Sequence, residues 1–485
     1  MNSERLRWQT KLAYGAGELG PAMAGSTLIF FQLIFLTNVA GLNAGLAGSV
    51  LLIGKAWDAV TDPIIGWLSD KTDTRWGRRL PWMLASALPF AICFSLMWWV
   101  PGLASADNQW GLFAYYVTVA IFFNTFYTTL ALPHTSLTPE LSHDYDERSR
   151  ISGFRMAYSL GGSVGGLIAA QLIFLWMAEA QATSRYLALG CTISLIGLIA
   201  MIYCLTGVWK VAIQKDQERR RLTQGSRSVM LPIKQQLAIV LSNRPFLIVC
   251  AIYLCSWMAI QFTASILPFY VEDWMRLGSN MFPLVALTVQ GTALLIIPAW
   301  GWLSTKIGKR PVYFYGMIFC LGAQAGLLLL QPTQTTLLFF LAFFAGFGIS
   351  VCYLIPNAML PDVIEYDEWR THQRREGIYY GFFVFLQKMA LAGSTFIIGQ
   401  VLNWAGYLSS GPGQANPIQP DSALLAIRIA TGPLPALVLL IGLFFAWIYP
   451  ITKEKHTEIL TQLAERRLQE RSINVDPNAS REDPI

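Results

Sequence analysis

About twelve stretches of this chain stay apolar for membrane-helix lengths: 12–38, 46–68, 81–101, 112–138, 152–177, 185–209, 245–271, 281–304, 311–331, 335–361, 378–404 and 424–449. A helix needs roughly 20 mostly apolar residues to cross a bilayer. A lipid-exposed backbone must also satisfy its own hydrogen bonds, which leaves helices and closed barrels. The stretches lack the apolar–polar alternation of barrel strands. The chain is therefore read as an all-α membrane protein of twelve spans. Composition agrees: 13% of residues are charged, against about 25% in soluble proteins. The first stretch follows Arg5, Arg7 and Lys11, is too long for a signal-peptide core and precedes no small-residue cleavage site. It reads as a retained first helix.

The distribution of charge sets the expected topology. Lys71, Arg75, Arg78, Arg79, Arg148, Arg150, Lys210, Lys215, Arg219, Arg220, Arg221, Arg227, Lys306, Lys309, Arg310, Arg370, Arg374 and Arg375 fall in alternate loops. Arg185 and Arg276 are the exceptions. By the positive-inside rule the basic loops face the cytoplasm, and both basic termini join them in an even-span protein. The chain thus belongs in the inner or plasma membrane. The basic run at 215–221 is a solvated face rather than a nucleic-acid patch. The seven cysteines lie in apolar segments without a C-x-x-C pair, and four scattered histidines form no transition-metal cluster.

The polar segment 210–243 divides the chain into an N-terminal half (1–209) and a C-terminal half (244–450), with a tail at 451–485. The halves echo each other. "GWLSDKTDTRWGRRLP" from Gly66 matches "GWLSTKIGKRP" from Gly301, and "LPHTSLTPELSHDYDERSR" (132–150) matches "IPNAMLPDVIEYDEWR" (355–370). Pro139-Glu140 aligns with Pro361-Asp362, and Tyr145-Asp146-Glu147 with Tyr366-Asp367-Glu368. Two related six-helix halves describe the major facilitator fold, in which cargo binds near mid-membrane between the repeats. Asp70, Arg78, Arg79, Glu140, Arg148 and Asp362 in these loops are candidates for a cytoplasmic latch that holds one conformation. The tail carries a helical stretch near 454–470 and reads as mobile.

The second stretch contains "KAWDAVTDP", Lys55 to Pro63. A charge at mid-membrane costs about 2.5–3.5 kcal/mol on insertion scales. Asp58 and Asp62 are four apart and share a helix face, with Lys55 at its border. Two such carboxylates need Lys55, a proton or a metal cation to neutralise them. Carboxylate and hydroxyl oxygens suit a hard cation such as Na⁺. Asn124, Tyr127, Thr128 and Thr129 of the fourth stretch are placed to add oxygens. A purely structural salt bridge between Lys55 and Asp58 leaves Asp62 over.

These segments carry a family likeness. "KAWDAVTDPIIGW", "YGAGELG" (14–20), "LTPELSHDYDER" (137–148), and "LPDVIEYDEW" with "RREGIYY" (360–380) resemble the glycoside–pentoside–hexuronide:cation symporters, the melibiose-permease family. The likeness spans essentially the whole chain. It implies a cation-coupled symporter of a sugar or glycoside, working by alternating access, with Na⁺ or H⁺ as coupling ion and no other cofactor. By position it makes Asp58, Asp62 and Thr128 the cation site. Tyr127 falls beside that site and Arg155 near the sugar, and Lys388 is a membrane lysine that pairs with the acids across the halves.

The sugar side departs from the family. The positions of its two sugar-holding acids are Ala22 and Ala131, and that of its stacking aromatic is Thr135. Glu18, one turn from Ala22, can substitute, and His134 can donate to a hydroxyl or take a proton. Loss of the acid at Ala131 also shifts weight toward H⁺ or a weaker Na⁺ site. The same branch includes the animal lysophospholipid symporters, whose first two helices "FFQLIFLTNVA" and "KAWDAVTDP" also resemble. An apolar cavity suits an acyl chain better than a sugar. Gln32, Gln261, Gln290, Tyr353, Asn357, Tyr379 and Gln387 are further polar positions within helices, each either cavity-lining or an interhelical tie. Arg428 is expected to snorkel to the interface, and Trp57 to face lipid or the eleventh helix. The expected partners are a small-molecule cargo (a sugar, glycoside or lysolipid), the cation and membrane lipid, with no nucleic acid and a monomeric chain. No nucleophile–base pair and no phosphate-cradling Gly-Lys-Ser/Thr motif suggests an enzyme or ATP-driven pump; a transport-inactive sensor of this fold is the other class.

Overall fold

The computed structural model describes residues 6–102, 108–142, 144–222, 233–373, 375–414 and 417–475. Arg227 and Arg374 of the basic loops lie outside them. The regular structure among the described residues is all helical: α1 Trp8–Ala16, α2 Leu19–Ile34, α3 Ala44–Lys71, α4 Leu80–Met97, α5 Gln109–Ser136, α6 Thr138–Leu141, α7 Tyr145–Trp176, α8 Ala182–Leu222, α9 Ile233–Ser242, α10 Arg244–Phe269, α11 Met281–Ile307, α12 Lys309–Leu329, α13 Thr335–Thr371, α14 Glu376–Trp404, α15 Asp421–Thr431, α16 Pro433–Trp447 and α17 Lys453–Val475. Eleven helical segments among them are long and apolar enough to cross a membrane. α3 is not one of them, although it has 28 residues. It carries Lys55, Asp58 and Asp62 along its middle, so the helix that breaks the pattern is the one with the candidate chemistry.

Local sequence sets the helix ends. Asn43, Asn108, Asp144 and Asn243 accept from backbone N–H groups in the first turns of α3, α5, α7 and α10, at 2.9, 3.1, 2.8 and 3.2 Å. The first span breaks between α1 and α2, and the twelfth between α15 and α16. α2 and α10, which lead the two halves, both finish in five-residue π-helical turns, Phe35–Val39 and Tyr270–Trp274. The polar segment between the halves is partly helical: α8 continues past its apolar part to Leu222, because the basic stretch is made of good helix formers.

The two loop echoes fold alike. Gly77 and Gly308 stand at matching places and both take positive φ, 86° and 91°, which a side chain disfavours. The cations that follow reach the equivalent acids. Arg78 donates to Glu140 at 2.6 Å and Lys309 to Asp362 at 2.5 Å.

The halves meet along α3 and α14, α2 and α10, and α7 and α11. α3 and α14 touch backbone to backbone at Gly48 and Gly399, where a Cβ on Gly399 would sit 2.7 Å from the Ala44 carbonyl oxygen. Small residues at such a crossing let membrane helices approach closely. At the end remote from the termini the halves are bonded directly. Asn38 Nδ2 donates to the Tyr407 hydroxyl at 2.8 Å, which donates to Asp273 Oδ2 at 2.9 Å. Ser410 donates to the Asn38 carbonyl at 2.8 Å, and Ser409 to the Leu42 carbonyl at 3.0 Å. Arg185 reaches Ser279 at 3.0 Å.

The tail differs from expectation. α17 is docked, not loose. Ile459 and Leu463 are buried at 1% and 3% exposure. His456 reaches Glu365 at 2.6 Å, and Trp369 donates to Gln462 at 2.6 Å. Two apolar residues at i, i+4 suffice to seat this helix when polar pairs flank them.

Candidate ion-coupling site

α3 places Asp58 and Asp62 one turn apart, facing α5 and α14. Asp58 is fully buried and Asp62 half-buried. The Thr128 hydroxyl of α5 lies 2.7 Å from Asp58 Oδ1 and 3.0 Å from Asp62 Oδ1, so one hydroxyl serves both carboxylates. From the opposite half, Lys388 Nζ lies 2.5 Å from Asp62 Oδ2 and 3.0 Å from Asp58 Oδ2. The second contact pairs the charges without hydrogen-bond alignment. Lys55 Nζ is 3.6 Å from Asp58, donates to Asn124 Oδ1 at 3.2 Å and sits 5.6 Å from the Tyr127 ring centre. Two ammonium groups thus balance two carboxylates in a region where an unpaired charge is costly. Four carboxylate oxygens and a hydroxyl converge there, a donor set that fits a hard monovalent cation. From α14, among the described residues, Lys388 is the side chain that meets the carboxylates.

Beside this cluster lies a cavity of about 190 Å³ between the halves. Leu28, Ile29, Val50, Leu51, Phe123 and Leu391 make it apolar, while Gln32, Asn124, Gln261 and Lys55 supply polar points. Lys55 is therefore shared between the ion cluster and the cavity.

The remaining candidates separate into other groups. Glu18 meets His134, with Oε2 at 3.5 Å from Nδ1. His134 is buried, stacks on Tyr14 at 4.6 Å and places Nε2 at 2.9 Å from the Tyr14 carbonyl. Tyr14 in turn donates to the His134 carbonyl at 2.9 Å. This ties the first span to the fourth. Arg155 is half-buried and near enough for its charge to act on Glu18. Thr135 is exposed and, among the described residues, its hydroxyl bonds its own helix at the Ala131 carbonyl. Asp70, Arg78, Arg79 and Glu140 form one network inside the N-terminal half: Arg79 pairs with Asp70 and bonds Ser69 at 2.6 Å, and Arg78 lies 3.8 Å from Asp70. Arg148 folds back on its own loop, donating to the Ser142 carbonyl at 2.7 Å. Asp362 belongs to the C-terminal half, with Lys309.

Among the weaker positions, Gln32 and Gln261 line the cavity. Gln387 receives a bond from Tyr253 at 3.1 Å, Tyr379 from Asn243 at 3.1 Å, and Asn357 bonds its own helix. Gln290 lies 3.4 Å from Ser163 and 3.5 Å from Tyr353. Trp57 is 40% exposed on the outside of α3, in keeping with the lipid-facing alternative, and its indole donates to Thr125 of α5 at 2.9 Å. Arg428 does not snorkel freely; it donates to the Leu328 carbonyl at 2.8 Å and lies 4.4 Å over Trp274. The Asn38–Tyr407–Asp273 cluster was missed by sequence reasoning. Aligning the ends of the first and seventh stretches would have revealed it, since Asn38 and Asp273 occupy the fourth position of the two π turns.

A bundle of this kind, with two related halves around a central polar cluster, defines a multi-pass transporter of the major facilitator type. The chain belongs to the MFS/sugar transport protein family, which it matches over residues 13–453. It is 43% identical to the uncharacterized symporter sll1374 of Synechocystis sp., over 96% of this chain and 98% of that one. It is 29% identical to the sodium-dependent lysophosphatidylcholine symporter 1-B of Danio rerio, over 97% and 92%. Among solved structures it resembles the nucleoside transporter NupG, with a TM-score of 0.62 at 14% identity over 92% of this chain and 100% of that one, a likeness of fold alone.

Proposed function

We propose that this protein is a cation-coupled symporter working by alternating access, with Na⁺ held by Asp58, Asp62 and Thr128. The observation that carries this is the position of Lys388, which reaches both carboxylates from the opposite half. A cation entering that cluster competes with the Lys388 ammonium for the same oxygens. The tie between the halves then loosens at mid-depth, and Lys55 is released from Asp58 toward the cavity. An anionic group on the cargo can meet Lys55 there, so ion and cargo favour each other's binding. The halves rock around the loaded site, with the basic-loop end in the cytoplasm and the Asn38–Tyr407 end closed in the present conformation.

For the cargo, the chemistry of the lining favours an amphipath with a phosphate-bearing head, of the lysophospholipid class, over a free sugar, and at about 190 Å³ the cavity must widen to admit it. A sugar needs several hydrogen-bonding partners, whereas most of this lining is aliphatic or aromatic. The Danio rerio relative supports the same reading. The family's description as sugar transporters supports the second reading, a glycoside. Uptake into proteoliposomes tests both. A Na⁺ gradient should drive accumulation of labelled lysophosphatidylcholine, and Asp62→Asn should abolish it. Full gradient-driven accumulation by Asp62→Asn would sink the coupling role. Accumulation of a glycoside with no lysolipid uptake would transfer the cargo to the sugar class.

A further inference from the structure

A cavity of about 700 Å³ lies away from the central cluster. It sits at the end that carries the termini, between the α11–α12 turn and the start of α17. Lys309, Arg310, Lys453 and His456 line it together with Ile307, Phe314 and Tyr315. Three of the four basic groups already have work. Lys309 holds Asp362 and the Ala358 carbonyl, the latter at 2.8 Å. Lys453 Nζ caps the end of α11 at the Thr305 and Lys306 carbonyls, at 2.8 and 3.0 Å. His456 is bonded to Glu365. Arg310 is half-buried in the wall and has no hydrogen-bond or ion-pair partner among the described residues. Of the acidic groups in the lining, Asp362 is taken by Lys309, and Glu454 is exposed. The cleft therefore presents a surplus of positive charge and one uncommitted guanidinium fork.

Part of its lining is apolar and exposed. Ile307 and Tyr315 are 41% and 51% exposed, and Ile318, one turn deeper along α12, is 63% exposed. α11 and α12 are membrane-spanning helices, so exposed apolar groups on their outward faces meet lipid. A cationic pocket at the end of a span, with an apolar skirt running into the bilayer, matches the two parts of a charged lipid. Arginine suits the phosphate because its planar fork makes two parallel bonds where lysine makes one.

We propose that this cleft binds the phosphate headgroup of an anionic membrane lipid, with Arg310 as the phosphate ligand and the acyl chains lying along α12 past Tyr315 and Ile318. The lipid then bridges the α11–α12 turn to α17.

Native mass spectrometry and thermal unfolding of the purified full chain test this, with phosphatidylglycerol, phosphatidylcholine or inorganic phosphate added to the micelles. Wild-type protein should retain phosphatidylglycerol and melt several degrees higher with it than with phosphatidylcholine. Arg310→Gln should lower retention at least fivefold, whereas Arg150→Gln, which removes an exposed arginine of the other half, should match wild type. Arg310→Lys, which keeps the charge without the fork, should fall between, and serves if Arg310→Gln does not fold. Equal phosphatidylglycerol retention by wild type and the Arg310 variants would overturn the assignment. So would equal retention of phosphatidylcholine, or Arg310-dependent stabilisation by inorganic phosphate without any by phosphatidylglycerol. None of these readings depends on transport, so the coupling proposal stands or falls separately.

Discussion

Lys388 Nζ touches Asp62 at 2.5 Å and Asp58 at 3.0 Å, so its removal leaves two carboxylates facing Lys55 alone. Breaking a buried pair from one side costs about 3–5 kcal/mol because a charge is stranded. Lys388→Gln should therefore melt well below wild type without Na⁺. If Lys388 holds the cation's place, the same variant should gain more from Na⁺ than wild type does, since ligand that binds only the folded state stabilises it by mass action. A melting curve against Na⁺, with choline as control, reads both effects; loss of all Na⁺ stabilisation would exclude competition. Thr128→Ala tests the hydroxyl that serves both acids. A hydrogen bond to a charged group is worth about 1.5–3 kcal/mol, so the Na⁺ concentration for half-stabilisation should rise at least about tenfold. The acid pair could be read in the sequence because ionisable groups are conspicuous in an apolar helix. The pairing of Lys388 with the acids is implied by the family resemblance rather than by the residues themselves; the sharing of Lys55 between the acids and the cavity is not legible, because it depends on how the packed helices are rotated.

The helices show where sequence reading works and where it fails. The echoed loops place Gly77 with Gly308 and Glu140 with Asp362, and these positions adopt the same turn and the same kind of ion pair because the same local chemistry is repeated. The helix near 454–470 is expected from the sequence, but its docking is not, because among the described residues of α17 the buried stripe is Ile459 and Leu463 within a charged run, too narrow to separate from a solvated helix. Its dock has a pH dependence. The hydrogen bond that His456 donates to Glu365 raises its pKa above the usual 6.5, with Asp362 adding to the rise and burial and Lys309 opposing it. A raised folded-state value means the contribution is complete below about pH 6.5 and is lost as pH climbs through the raised value. Amide exchange in α17 should therefore be slowest in mild acid and speed up toward alkaline pH beyond the intrinsic chemical rate. His456→Gln should flatten that excess. An unchanged pH profile in the variant would detach the histidine from the dock.

At the scale of the whole molecule, alternating access requires that the contacts closing one end be breakable at a cost the cargo and ion can meet. The closed end here is built on the pseudo-symmetry itself. Asn38 and Asp273 stand at the same position of two π turns, one from each half, and both bond to the Tyr407 hydroxyl. A π turn widens the helix and swings its last side chains away from the α-helical register, which lets two equivalent helix ends reach one group between them. Ser410 adds a bond to the end of the first span and Ser409 one to the Leu42 carbonyl just beyond it, so Tyr407 stands within a short seam rather than at one isolated contact. Each neutral bond contributes about 0.5–1.5 kcal/mol net, and one to a carboxylate more. Tyr407→Phe keeps the ring, which packs edge-on against Phe269 at 5.3 Å, and removes only the hydroxyl. The fraction open at that end should then rise by roughly tenfold, about 1.4 kcal/mol. Leu42 is fully buried beneath the seam, and its bond to Ser409 uses the backbone carbonyl, so Leu42→Cys reports opening without cutting that bond. A membrane-impermeant thiol reagent applied from that side should label Leu42→Cys slowly, and Leu42→Cys/Tyr407→Phe about ten times faster. Equal rates would mean that the seam is held elsewhere and that the hydroxyl only fills a polar gap. If the cargo cavity and the seam belong to one cycle, adding Na⁺ and cargo together should narrow the difference between the two variants, because the loaded carrier has its own reason to open.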